Sequence, residues 1–519
     1  MFDTKLARGS VFITVFMAAF CLAGSSQICP ARPPAGSTVQ DPLAVYSQNG
    51  VLTAGITMGS FLNSSGLIMY CFAYPQGSTE APTLEVNPGD QLVLNFSNQI
   101  QTFFASDAQR HMHHSIAAVA DPDCNGEMTS FSSNIHFHGM NLPPKCHQDE
   151  TIFTLINPGD PTFTYHVQIP ADEPPGLYWY HPHPHGLTQT QIMGGASGAL
   201  IVEGIEKIKP EVAGLTEHVF VLRDQYQGSA LNTTINFVPA GSPAPVINMQ
   251  PSEKQFWRVA NAEGETFENL QVQINGKPQK VTVVALDGTP VKTDIVTNQI
   301  GLPPAGRAEF IVQGPAAGQT GALVTLGVST GKDGVSNPPA LIANIVPTAG
   351  ASKAAHKIPA ISTESEVTRF AGLLNATATT QRGLYFSENL TDINNIEYYI
   401  TVDGQTPQVF EPGEPPAIVT TQGAVEDWTI ENQAEEVHAF HIHQVHFIVV
   451  ARDKVKLATP EVLDTVQIPA WTGTGPYHSV TIRLDFRDPE SVGTFVYHCH
   501  IAAHEDGGMM AKIQVKPSN

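Results

Sequence analysis

Apolar and polar residues alternate in short runs along most of the chain, and three of these runs share one layout. Pro88-Gly89-Asp90-Gln91-Leu92-Val93-Leu94-Asn95-Phe96-Ser97-Asn98 opens on a turn, alternates, and stops at an asparagine. Pro251-Ser252-Glu253-Lys254-Gln255-Phe256-Trp257-Arg258-Val259-Ala260-Asn261 and Gln422-Gly423-Ala424-Val425-Glu426-Asp427-Trp428-Thr429-Ile430-Glu431-Asn432 do the same. A period of two sends successive side chains to opposite faces, so each run reads as a strand with one face toward a core. The runs begin at Pro88, Pro251 and Gln422, intervals of 163 and 171 residues. That spacing predicts three homologous β domains in a row.

A second pairing points the same way. Gly176-Leu177-Tyr178-Trp179-Tyr180-His181 matches Gly493-Thr494-Phe495-Val496-Tyr497-His498, so the first and third units end in one kind of aromatic strand that runs into histidines. The middle unit has no His-x-His. Antiparallel strands joined by Gly and Pro turns predict an all-β chain in which each unit is a two-sheet sandwich. The expected division is a leader over 1–25, a first domain over 36–205, a second over 206–350 and a third over 365–519, with junctions near Glu206 to Gly214 and in Ala349 to Ser365.

Composition narrows the class. The chain has 519 residues, too many for one ordinary core, and 14% charged residues with 43 Gly and 40 Pro suit turn-rich β structure. A net charge of −22 disfavours nucleic acid and anionic membranes as partners, because both are polyanions. Lys5 and Arg8 precede an apolar run from Val11 to Leu22 and the small residues Ala23, Gly24, Ser25 and Ser26, the layout of a cleaved secretory signal. The run is short for a membrane span, and no later segment is apolar enough, so a secreted or periplasmic protein without a stable membrane anchor is expected. Beyond Cys21 in the leader and Cys499, four cysteines remain: Cys29, Cys71, Cys124 and Cys146. They allow three pairings, of which Cys124 with Cys146 is preferred because the two bracket one segment.

The chemistry lies in four histidine clusters: His136-Phe137-His138, His181-Pro182-His183, His438-Ala439-Phe440-His441-Ile442-His443, and His498-Cys499-His500 followed by His504 and Met509. Ten of the 20 histidines fall in them. One His-x-His is weak evidence, but ten imidazoles gathered without a metal would each need a polar partner. On a strand, His498 and His500 point one way and Cys499 the other, so one strand can serve two metal sites. Structural zinc has no use for a single cysteine wedged between histidines with a trailing methionine, whereas imidazole and thiolate together suit copper. His185 reads as a neighbour of such a site rather than a ligand, and His111-Met112-His113-His114 as a solvated loop, with accessory copper binding as the alternative. The sequons at Asn63, Asn232 and Asn375 matter only in a glycosylating host.

These motifs resemble the four copper motifs of the multicopper oxidases, the laccase-like family of three cupredoxin domains, and the resemblance covers nearly all of the chain after the leader. It implies three cupredoxin-like Greek-key sandwiches and four copper ions. His438, Cys499 and His504, with Met509 axial, would hold the type 1 ion; His136 and His441 the type 2 ion; His138, His181 and His500 one type 3 ion; and His183, His443 and His498 the other. Glu505 and Asp149 stand where family members carry acidic proton donors. Ala439 departs from the family, since many members have proline there. The implied activity is one-electron oxidation of phenols or aromatic amines, a small-molecule electron donor, coupled to four-electron reduction of O2 to water. The rivals are oxidation of Cu(I), Fe(II) or Mn(II), and a copper-binding or envelope scaffold without turnover; the absence of a Met-rich insert among 11 methionines argues against a specialised cuprous oxidase. Oligomeric state is not legible.

Overall fold

The computed structural model describes residues 28–75, 79–103, 124–350, 366–392 and 396–518. Six β-sheets account for nearly all of the regular structure, two for each third of the chain. In the first third, Ile68–Ala73, Val51–Leu62, Gln91–Gln99 and Phe163–Gln168 form one sheet; Ala44–Tyr46, Thr83–Val86, Gly198–Val202, Gly176–His181 and His136–His138 form the other. In the last third, one sheet holds Thr380–Asn389, Val425–Asn432, His478–Asp485 and Phe447–Arg452 at its centre. Its partner runs Ile418–Thr421, Met510–Lys516, Gly493–Cys499, His438–Ile442, Thr465–Ile468. The architecture is all-β, three sandwiches in succession, each with its own apolar core between the sheets.

The three alternating runs occupy the same place in their sheets. Gln91–Gln99 pairs parallel with Val51–Leu62, Lys254–Asn261 with Thr216–Gln227, and Val425–Asn432 with Thr380–Asn389, and each pairs antiparallel with a later strand on its other side. The inward positions Leu92, Leu94 and Phe96 are fully buried, as are Trp257, Val259, Trp428 and Ile430. Truncating one of these to alanine costs about 2–5 kcal/mol.

The asparagine that ends each run has a physical reason to be there. Asn98 donates its amide to the carbonyls of Phe131 and Ile156 and accepts from Ile100 N–H. Asn261 donates to Thr266, Leu302 and Pro303 and accepts from Glu263; Asn432 donates to Glu436, Ile468 and Pro469 and accepts from Ala434. All three are buried, and a side chain that donates and accepts at one point satisfies the backbone where the strand turns away.

Disulfides join Cys29 to Cys71 and Cys124 to Cys146, so the preferred pairing is present and the remaining two cysteines close the other bridge. Among the described residues no helix is long and apolar enough to cross a membrane. The leader, the His111 to His114 cluster and the 351–365 part of the second junction lie outside the described residues.

Candidate metal centre

Two buried donor clusters form on opposite faces of one sheet. The strand Gly493–Cys499 pairs antiparallel with His438–Ile442, with Phe440 opposite Cys499 and His441 opposite His498. Alternation does the sorting. Cys499 and His438 face the core of the last sandwich, whereas His441, His443, His498 and His500 face away from it toward the strand His136–His138 of the first. His504 sits on the helical turn Ala502–Asp506 that follows the strand.

The smaller cluster is His438, Cys499 and His504. Nδ1 of His438 lies 3.6 Å and Nδ1 of His504 3.9 Å from the sulfur, and the two nitrogens are 3.3 Å apart. Behind the rings stand two acids that the motifs did not announce. Glu388 Oε1 is 3.3 Å from Nε2 of His438, and Glu436 Oε2 is 3.4 Å from Nε2 of His504. A carboxylate behind an imidazole fixes its tautomer and leaves the other nitrogen free to ligate. Burial pushes the Cys499 thiol up, but the two histidines outweigh it and bring it down to about 6. Burial likewise works against charge on His504, yet the thiolate and Glu436 raise it to about 10. A dipositive ion would take the place of those protons. Met509 is fully buried in the same apolar cluster, and its carbonyl accepts from Cys499 N–H.

The larger cluster holds His136, His138, His181, His183, His441, His443, His498 and His500, all 3% exposed or less. Strands of the first and last sandwiches interleave their rings: His136 stacks on His443 at 3.8 Å and His138 on His441 at 4.0 Å. Nε2 of His498 lies 3.4 Å from Nε2 of His183 and 3.3 Å from that of His443. The donor atoms of His136 group with those of His441 and His443, and also with those of His138 and His181. His500 has its ring 4.9 Å from His138 and 5.6 Å from His181. Burial, and then the charge of neighbouring rings, holds His136, His138, His181, His183, His443, His498 and His500 well below the usual imidazole range. The neutral form that results is the one with a lone pair for a metal.

The fit to a metal is testable on polar bookkeeping. Nε2 of His136, Nδ1 of His138, Nε2 of His181, Nε2 of His441, Nδ1 of His443 and both nitrogens of His500 are buried with no hydrogen-bond partner. Native interiors rarely leave such groups unpaired, and here they converge. In several of these rings the opposite nitrogen is anchored. His136 Nδ1 lies 3.0 Å from both oxygens of Asp149; His181 Nδ1 donates to the carbonyl of Pro182, and His441 Nδ1 to that of Asp464. The residues fit copper, the ion whose chemistry suits an all-imidazole cluster beside an imidazole-thiolate one.

Acids ring the larger cluster. Asp149 accepts from Phe137 N–H and from the Gln444 amide, and burial nevertheless pushes its carboxyl up to about 8. Glu505 lies 3.2 Å from Nδ1 of His498 and 3.4 Å from Nε2 of His183; burial and then the charge of Asp506 hold it well above the carboxylate range. Asp464, which carries no motif, has Oδ1 3.2 Å from Nε2 of His138. It is clamped by Arg307 of the middle sandwich through Nη1 to Oδ1 at 2.8 Å and Nη2 to Oδ2 at 2.5 Å. Asp287, also of the middle sandwich, accepts from the N–H groups of Asp464, Thr465 and Arg307. Gly139 has to be glycine, because its φ is +85° and a Cβ there would lie 2.3 Å from Arg307 and 2.4 Å from Asp464. His185 packs edge-on against Phe410 at 5.0 Å.

Three sequence profiles described as multicopper oxidase match residues 386–519, 127–207 and 179–325. The chain is 24% identical over 462 residues to a multicopper oxidase of Staphylococcus haemolyticus, covering 85% of this chain and 83% of the relative. It is 23% identical over 496 residues to a laccase of Bacillus subtilis, covering 85% and 89%. A solved multicopper oxidase from Campylobacter jejuni, described as a metallo-oxidase, superposes with a TM-score of 0.68 at 19% identity over 95% of this chain and 98% of that one. With the profiles, the relatives, the three sandwiches and the two donor clusters agreeing, the chain belongs to the multicopper oxidase family, oxidoreductases that pass electrons from a donor to O2.

Proposed function

We propose that the protein is a secreted, laccase-like oxidase that removes electrons one at a time from phenols or aromatic amines and couples four such steps to the reduction of O2 to two waters. The convergence of unpaired, buried imidazole nitrogens beside a thiolate held between two more imidazoles carries this reading. In it, His438, Cys499 and His504, together with Met509, would hold the type 1 ion; His136 and His441 the type 2 ion; His138, His181 and His500 one type 3 ion; His183, His443 and His498 the other. Copper bound there supplies the one-electron couples for taking electrons from the donor and delivering four of them to O2.

The chain's own residues do the rest. Cys499 shares one strand with His498 and adjoins His500, whose N–H donates to Ala439, so covalent bonds and the sheet ladder link the two clusters. Glu505, against His498 and His183, and Asp149, against His136, are placed to hand protons to the oxygen being reduced. Both are shielded from bulk water, with 0% and 1% exposure, so each proton must come through the protein. Met509, a weak thioether donor, would favour a modest potential for an ion held with Cys499.

The rival donor is a reduced metal ion, as the description of the Campylobacter neighbour suggests. Copper quantification with an electron paramagnetic resonance spectrum tests the four-ion count, and steady-state O2 uptake with a phenol against Cu(I), Fe(II) and Mn(II) tests the donor. Four coppers with faster turnover on the phenol are expected; fewer than four, or turnover on metal ions alone, overturns the reading.

A further inference from the structure

The proposed type 1 residues have no free edge. His438 and Cys499 are 0% exposed and His504 3%. The outer nitrogen of each imidazole is covered by a carboxylate, Glu388 on His438 and Glu436 on His504, and these side chains are themselves only 4% and 9% exposed. Phe386, fully buried, packs against His438 with ring centroids 4.8 Å apart and planes tilted by 46°. The face of His504 is covered by the ring of Tyr398, with centroids 4.3 Å apart and planes 18° from parallel. Tyr398 is half-buried, whereas Phe386 and the side chains of Glu388 and Glu436 are buried.

The chain makes room for that stack. Gly507 closes the helical turn that carries His504, and a Cβ on it would lie 2.5 Å from Cδ2 of Tyr398. The backbone at Gly507 is ordinary, with φ of −80°, so close approach rather than conformation is what glycine provides here. Burial, and then the negative charges of Glu388, Glu436 and Glu265, push the Tyr398 phenol up to about 12. A flat π-face backed by carboxylates attracts aromatic and cationic partners and repels anions.

We propose that Tyr398 is the docking face through which reducing substrates deliver electrons, and that it favours flat, neutral or cationic aromatic donors over anionic ones. This rests on the type 1 assignment above and adds to it the class of donor. The donor stacks on the outer side of Tyr398 and loses one electron. That electron would pass across the phenol ring and the His504 imidazole to the Cu(II) that His438, Cys499 and His504 would hold, leaving it as Cu(I). Tyr398 is unchanged before and after, and the proton released by the oxidised phenol or amine goes to water. Glu388 and Glu436 are shielded and turned toward the imidazoles, so neither offers a hydrated metal ion an open carboxylate.

The test is anaerobic bleaching of the blue band in the copper-loaded protein, followed by stopped flow with N,N-dimethyl-p-phenylenediamine and with hexacyanoferrate(II). In the wild type, rising ionic strength is expected to slow the diamine and to speed hexacyanoferrate. Tyr398→Phe keeps the diamine rate within about twofold, and Tyr398→Leu, which covers His504 without a π-system, lowers it by about tenfold. Both variants keep the wild-type blue band and type 1 potential. A Leu variant that bleaches with the diamine as fast as the wild type overturns the role of Tyr398 while leaving the type 1 assignment standing. A rate loss matched by a fall in potential overturns it too, because it makes Tyr398 a structural neighbour. Absence of a blue band in the loaded wild type overturns the type 1 assignment instead.

Discussion

The two donor clusters share one strand yet are built on different plans. The smaller one draws His438, Cys499, His504 and their acids Glu388 and Glu436 from the last sandwich alone. The larger one takes rings from the first and last sandwiches, and an arginine from the middle one clamps the aspartate behind His138. The middle sandwich holds no histidine pair, but it supplies Arg307 and Asp287, and its Glu309 accepts from Leu177 N–H on the strand that leads to His181. A cluster within one domain needs only that domain to fold. A cluster between domains also needs the domains to dock, and here the buried Arg307–Asp464 pair joins the middle sandwich to the last.

The sharpest way to separate the two is Cys499→Ser. It should abolish the blue absorption and oxidase activity while three coppers stay bound, as read by absorption and copper content; a variant that stayed blue would remove the thiolate from the assignment. His441→Ala cuts the other way, depleting type 2 copper and stopping O2 uptake while reductant still bleaches the type 1 band. Continued O2 uptake would break the ligand sorting. Arg307→Met probes the dependence on docking. Leaving Asp464 buried without its arginine should cost about 3–5 kcal/mol of stability in denaturant titration. It should also lower copper in the larger cluster while the blue band survives, and equal loss from both clusters would mean that the smaller one depends on docking as well.

The smallest effect concerns the junction of the first and middle sandwiches. Burial, and then Glu203, raises the Glu85 carboxyl to about 9, with Glu217 and Arg258 also facing it. The folded protein then keeps a proton there that the unfolded chain loses near 4.5. The stabilisation is full below that value and disappears as pH rises toward 9. Thermal midpoints are expected to fall across that range, and Glu85→Gln should flatten part of the slope. An unchanged slope would mean that the junction carries no such proton.

Much of this could be read before any coordinates. The asparagine-ended runs marked three sandwiches because a buried Asn is what a strand needs where it turns into a loop. His-Cys-His marked two sites on one strand because alternation is a local property of β backbone. Glu388, Glu436, Asp464, Arg307 and Tyr398 were not legible. Glu388 lies 50 residues before His438 and Arg307 157 before Asp464, so no spacing rule connects them.

Which donor types exist, and which of them share a strand face, the sequence determined by itself, because side-chain chemistry and the two-residue period are local. Tertiary structure alone decided which acid stands behind each imidazole, which domain clamps the larger cluster and which ring covers the smaller one. Those contacts join strands of different sheets and sandwiches, and their partners meet only when apolar burial brings the sheets together.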